Sequence, residues 1–170
     1  KGGILSGDIL LNLDNEENEE IDTGCGGRID ITAKRNNKEE PTHKKTIAFE
    51  IAIRGLQGGH SGMDIHKGFG NANKLMNRLL YHVNKLLELR ISKMKGGNLR
   101  NAIPRESFST IVIEEDKKES FLSEINDLIS LIKEEFNTLE PNLVINVNNS
   151  EIPKKVMNLE TQKIFLKSIY

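Results

Sequence analysis

One stretch constrains this chain more than any other. Arg54 to Asn71 reads Arg-Gly-Leu-Gln-Gly-Gly-His-Ser-Gly-Met-Asp-Ile-His-Lys-Gly-Phe-Gly-Asn. Ahead of it, Ile47, Phe49, Ile51 and Ile53 fall on one face, with Thr46, Glu50 and Arg54 opposite. That alternation predicts a half-buried strand. Beyond it, Leu75, Leu79, Val83 and Leu86, with Met76, Leu80 and Leu87, recur at three- and four-residue spacing. This stripe predicts a helix from Asn71 to Arg90, capped by Asn71 or Asn73. Between strand and helix lies a glycine-rich turn with His60 at its centre, where backbone can approach a ligand closely.

The segments that follow extend the pattern. Ile91 to Met94 predicts a short strand broken by Gly96-Gly97, and Phe108 to Ile113, rich in β-branched residues, predicts another. Phe121, Ile125, Leu128 and Ile132, with Leu122, Ile129 and Phe136, give a second amphipathic helix. Leu143, Ile145 and Val147 alternate in a last strand, Ser150 to Pro153 reads as a loop, and a third helix starts at Leu159. From Lys45 to Asn148 the order is strand, helix, strand, strand, helix, strand. That is the α+β order of a ferredoxin-like sandwich, an antiparallel sheet with both helices on one face. Upstream, Ile9 to Leu13 suits a buried strand and Asp14 to Glu20 a solvated acidic loop. Ile29, Ile31 and Ala33 alternate as another strand, and Lys34 to Lys44 reads as a long hairpin connection or a surface loop.

Bulk properties exclude several classes. The chain has 170 residues, with 24 basic and 25 acidic side chains and a net charge of −1, so nothing points to a nucleic-acid partner. No apolar run reaches membrane-spanning length, and no signal-peptide core is present. Cys25, the lone cysteine, cannot form an internal disulfide and is compatible with a cytoplasmic, reducing location. It reads as a small filler in a turn, with no basic partner in sequence to activate it. Both ends read as cuts, so a piece of a longer chain is expected.

The residues themselves leave the chemistry open. The imidazole of His60 can donate a hydrogen bond to a developing oxyanion, or it can be an ordinary loop histidine. Ser61 is no nucleophile partner for it, because adjacent residues of an extended chain point opposite ways. Phosphate-loop spacings are absent. His82, between apolar neighbours, reads as a packed histidine. Asp14 closes an apolar strand, where a metal ligand and a plain turn are equally good readings. A catalytic zinc site takes about three protein ligands. The chain has no His-x-Asp, Cys pair or His-Glu-x-x-His, so any further ligands would lie outside it.

Taken together, several blocks resemble the aminoacyl-histidine dipeptidases of the M20 metallopeptidase family. They are Asn12-Leu13-Asp14-Asn15-Glu16-Glu17, Gly24-Cys25-Gly26-Gly27, Gly55 to Gly62, Ile65-His66, Gly70 to Leu75, and Gly97 to Glu106, which contains Arg100-Asn101-Ala102-Ile103-Pro104-Arg105. The resemblance implies a zinc-dependent dipeptidase with two metal ions, in which a ferredoxin-like lid domain is inserted in a catalytic domain and mediates dimerisation. Residues 1–27 would be the end of the catalytic domain and 28–170 the lid. The resemblance makes Asp14 a metal ligand, and Glu16 and Glu17 loop residues rather than the family's Glu-Glu base motif. It gives His60 the polarisation of the scissile carbonyl, in related enzymes often in the partner subunit's active site. Asn101 would bind the substrate backbone or carboxylate, and Arg105 would assist carboxylate recognition. His66 falls in a matching position to which the resemblance gives no role, and it reads as a structural cap of the loop. The implied partners are a dipeptide, the rest of the same polypeptide and a second copy. Competing readings are a non-catalytic ferredoxin-like dimerisation module and a small-molecule-binding module of the same fold.

Overall fold

The computed structural model describes residues 36–169, together with Ile9, Ile29 and 31–34. Contacts divide the chain into two units, Lys1–Arg35 and Asn36–Tyr170. In chain order the second unit contains β1 (Glu39–Pro41), β2 (Thr46–Arg54), α1 (Ala72–Leu87), β3 (Arg90–Gly96), β4 (Ser107–Glu114), α2 (Lys118–Phe136), β5 (Val144–Ser150), β6 (Lys155–Met157) and α3 (Leu159–Ile169).

The main sheet has the order β3-β4-β2-β5 with every pair antiparallel. The apolar run of β2 takes a central position because both of its edges pair, with Phe49 opposite Ile111 on one side and Asn149 on the other. Phe49, Ile51 and Ile53 point into the main core with Ile91, Ile111, Ile113 and Ile145. From the helices, Leu75, Met76, Leu79, Leu80 and Val83 of α1 and Phe121, Ile125, Ile129 and Ile132 of α2 fill the same core. The expected α+β ferredoxin-like sandwich is therefore the observed fold.

Asn71 caps α1. Its side-chain oxygen accepts from the N–H groups of Asn73 at 3.0 Å and Lys74 at 3.2 Å, two of the donors that a helix start leaves unpaired. Asn71→Ala is expected to cost about 1 kcal/mol, read as a lower urea midpoint at unchanged slope.

Two strands escape a sequence reading. β1 and β6 pair as a separate two-stranded ribbon, β1 within the connection expected at Lys34 to Lys44 and β6 between the expected loop at Ser150 to Pro153 and the third helix. Each is three residues long, too short for a periodic pattern to register. Val156 of β6 is buried with Ala48 and Val112, so the ribbon covers part of the sheet face opposite the helices. Arg90 ties it to β3, pairing with Glu40 at 2.6 Å and donating to the Met157 carbonyl. α3 adds a third helix to the core layer. The buried Gln162 side chain accepts the Ile91 N–H at 2.8 Å and donates to the Leu89 carbonyl at 2.7 Å, which pins α3 to the α1–β3 corner.

Other expectations need correction. Ile29 and Ile31 are 87% and 88% exposed, and the described residues around them form no strand. Their alternation has no apolar layer to meet among the described residues. Leu86, placed in the apolar stripe of α1, is exposed in the helix's last turn, just before Glu88 turns the chain in a left-handed conformation. α1 consequently ends at Leu87, short of Arg90. The strand expected at Ile9 to Leu13, the acidic loop and Cys25 lie outside the described residues, save for an exposed Ile9.

Candidate functional site

β2 delivers the chain to the glycine-rich loop, and the segment between β3 and β4 folds back beside it. The two meet as a short antiparallel bridge, His60 opposite Ala102. Ser61 N–H donates to the Asn101 carbonyl and Ile103 N–H to the Gly59 carbonyl, each at 2.8 Å. His60 and Asn101, far apart in sequence, are thus held on neighbouring segments. Arg105 joins them. Its Nε donates to the Leu56 carbonyl at 3.0 Å, a bond that does not engage its Nη1–Nη2 edge.

The ring of His60 is held by its own loop. Nδ1 accepts the N–H groups of Gly62 at 3.2 Å and Met63 at 3.1 Å. A nitrogen that accepts carries no proton, so the neutral ring bears its N–H on Nε2. The loop therefore selects one tautomer and one ring orientation. His60 is a donor at Nε2, and it cannot act as a base at Nδ1 without giving up both amides.

Asp64 closes the loop on itself. Its Oδ2 accepts the His60 N–H at 2.7 Å, its own N–H donates to the His60 carbonyl at 2.9 Å, and its Oδ1 pairs with Lys67 Nζ at 2.6 Å. Gly59, at φ +143°, makes room for this, since a Cβ there would lie 2.8 Å from Asp64 Oδ2. Lys67, then the His60 N–H, hold the Asp64 carboxyl below the usual carboxylate range. A folded-state value below the unfolded one stabilises above the unfolded pKa and is lost as pH falls through the folded one. A carboxylate titration by NMR should place the Asp64 midpoint below its ordinary value of about 3.9, and Lys67→Ala should move it upward.

His66 does not cap the loop. It is exposed in the 3-10 turn Ile65–Lys67, and no hydrogen bond of its side chain is seen among the described residues. Asp64 takes that role instead. Sequence reasoning passed over Asp64, although its position four residues after the histidine of a glycine-rich turn is a usable signal. His82 is half-buried and meets Tyr81 edge to face, as a packed histidine would.

A groove of about 610 Å³ runs beside the bridge, lined among others by Gly59, Lys95, Gly97, Ala102, Arg105 and Phe108. Its lining carries two cationic side chains, the carboxylate of Glu106 and the ring of Phe108, a mixed polar and apolar surface suited to a small polar ligand, and it reaches Gly59, the residue before His60. Asp14 lies outside the described residues. Among those described, no group of three or more His, Cys, Asp or Glu could hold a metal ion, so they do not by themselves fit a zinc centre. No helix among them is long and apolar enough to cross a membrane.

Comparison with known proteins agrees with this layout. The chain is 38% identical over 167 residues to the cytosol non-specific dipeptidase of Escherichia coli, covering 98% of this chain and 34% of that protein. The crystal structure of the aminoacylhistidine dipeptidase of Vibrio alginolyticus matches 79% of this chain and 28% of its own, with a TM-score of 0.76 and 32% identity. A hydantoinase/carbamoylase-family amidase of Burkholderia multivorans shares the fold, with a TM-score of 0.52 and 18% identity over 66% of this chain and 28% of its own. The chain thus spans about a third of the curated relative's length. Residues 51–140, from mid-β2 through the glycine-rich loop to the end of the turn after α2, match the M20 peptidase dimerisation domain, and the chain belongs to that family.

Proposed function

We propose that this chain is the lid and dimerisation part of a cytosolic dinuclear zinc dipeptidase that hydrolyses Xaa-His and related dipeptides. In this reading residues 1–27 belong to the end of the catalytic domain and 28–170 to the lid. The observation that carries it is the locked His60 ring. The Escherichia coli and Vibrio alginolyticus relatives are both named as dipeptidases, the first of them as cytosolic.

The contribution of His60 is at the carbonyl. When water adds to the scissile carbon, negative charge gathers on the oxygen. An N–H already aimed at that position stabilises it without having to reorganise. The two amides on Nδ1 support this reading, because they fix both the tautomer and the ring plane. Asn101, across the bridge, would bind the peptide backbone or carboxylate of the substrate. Arg105 would offer the edge of its guanidinium to the carboxylate, a planar fork suited to two parallel bonds.

Asp14 is the metal ligand in this reading. The zinc ions would supply the activated water when bound, and their remaining ligands would come from elsewhere in the protein. The chain alone is then inactive. A second copy supplies the dimer, with His60 serving the partner's active site.

The test is turnover of Xaa-His dipeptides by the full-length protein, wild type against His60→Ala. Turnover indifferent to His60 would remove its role. A full-length protein that hydrolyses no dipeptide would leave the non-catalytic dimerisation module as the better reading.

A further inference from the structure

Glu140 is the buried acid that the chemistry above does not use. It is 2% exposed, in the turn between α2 and β5. Its Oε2 accepts the N–H of Gln57 and its Oε1 the N–H of Gly70, both at 2.7 Å. Those two amides are the entry and exit of the loop that carries His60. One carboxylate therefore sets the width of the loop's mouth. From this geometry we infer that Glu140 is a positioning residue for the His60 donor, an inference that rests on the proposed role of His60.

Two further observations support it. Burying a carboxylate is costly, and an apolar side chain would fill the same space without that cost. A carboxylate at this buried position is explained by the two amides, which no apolar group could satisfy. The rest of the turn is also built against the loop. The Leu139 carbonyl accepts from Gln57 Nε2. Gly55, at φ +79°, lies so close that a Cβ would be 2.0 Å from the Asn142 carbonyl oxygen. The turn is itself fixed, with Glu140 N–H bonded to the Phe136 carbonyl at 2.7 Å and Leu143 N–H to the Glu140 carbonyl at 3.0 Å. End to end, the chain of contacts runs from α2, through Glu140, to both roots of the His60 loop.

Loss of this clamp should shift His60 rather than remove it. A displacement of an ångström at a reacting group costs about 10²-fold in rate. The test is made in the full-length protein. Glu140→Ala is expected to lower kcat on Xaa-His dipeptides by about 10- to 10²-fold with KM little changed. Glu140→Gln keeps one acceptor oxygen and should recover part of the loss; it also serves if the alanine variant does not fold. In a His60→Ala background, neither change should cost turnover further, because the group they position is gone. Amide exchange should quicken at Gln57, His60 and Gly70 in Glu140→Gln, while the β2 amides hold. Turnover that needs His60, combined with a Glu140 loss that persists undiminished in His60→Ala, would overturn this inference alone. So would unchanged exchange at Gln57 and Gly70. Turnover that ignores His60 would overturn the proposed function together with this inference.

Discussion

His60→Ala in the full-length protein is expected to lower kcat for Xaa-His dipeptides by about 10²–10³-fold, the usual effect of removing one oxyanion donor. KM should change little, because a bond that strengthens only as charge develops contributes to the transition state and not to ground-state binding. The fold should survive. His60 is only half-buried, and the bridge it sits on is made by backbone groups of Gly59, Ser61, Asn101 and Ile103 that alanine leaves in place. Any loss of turnover is then a loss of chemistry. His60→Gln is a useful companion, since it restores a donor but not the ring held by Gly62 and Met63, and should recover only a fraction.

Phe121→Ala should be the most destabilising simple truncation, by about 3–5 kcal/mol. Phe121 is fully buried on α2, and its ring lies 4.8 Å from that of Phe49 on β2, centroid to centroid. It is the aromatic contact between the second helix and the central strand. A domain of this size has roughly 5–15 kcal/mol in total, so the loss is a large share of it. Urea unfolding should show the midpoint fall with the slope little altered. The effect should also reach the site, since α2 leads into the turn that holds the roots of the His60 loop.

How much of this was legible in the sequence depends on the range of the interactions. Ile47 to Ile53 and the stripes of α1 and α2 declare themselves, because burial of one face imposes a period that neighbours share. So does the N-cap Asn71, which bonds to residues two and three further on. The ribbon of β1 and β6 does not, because its register comes from pairing Glu40 with Val156, more than a hundred residues apart, and three residues hold no period. The strand expected around Ile31 failed for the opposite reason: alternation without a partner layer among the described residues makes no strand. His60 and Asn101 are singled out by their glycine-rich and Asn-Ala-Ile-Pro surroundings. That the fold brings their segments side by side is not legible there, and follows only from the return of the chain after β3. Glu140 carried no local signal at all. It reads as one more helix-end carboxylate before Pro141, and only the fold shows that it holds two amides of a distant loop.

The central claim is that His60 presents a fixed Nε2–H to the oxygen on which charge develops. The most direct measurement is the affinity of a tetrahedral phosphinic dipeptide analogue, set against that of a ground-state dipeptide, for the full-length wild type and His60→Ala. The expected result is analogue binding weakened by about 10²–10³-fold, in step with kcat/KM, with ground-state binding nearly unchanged. Equal analogue affinity in the two proteins would contradict the claim and return His60 to the role of a structural loop residue.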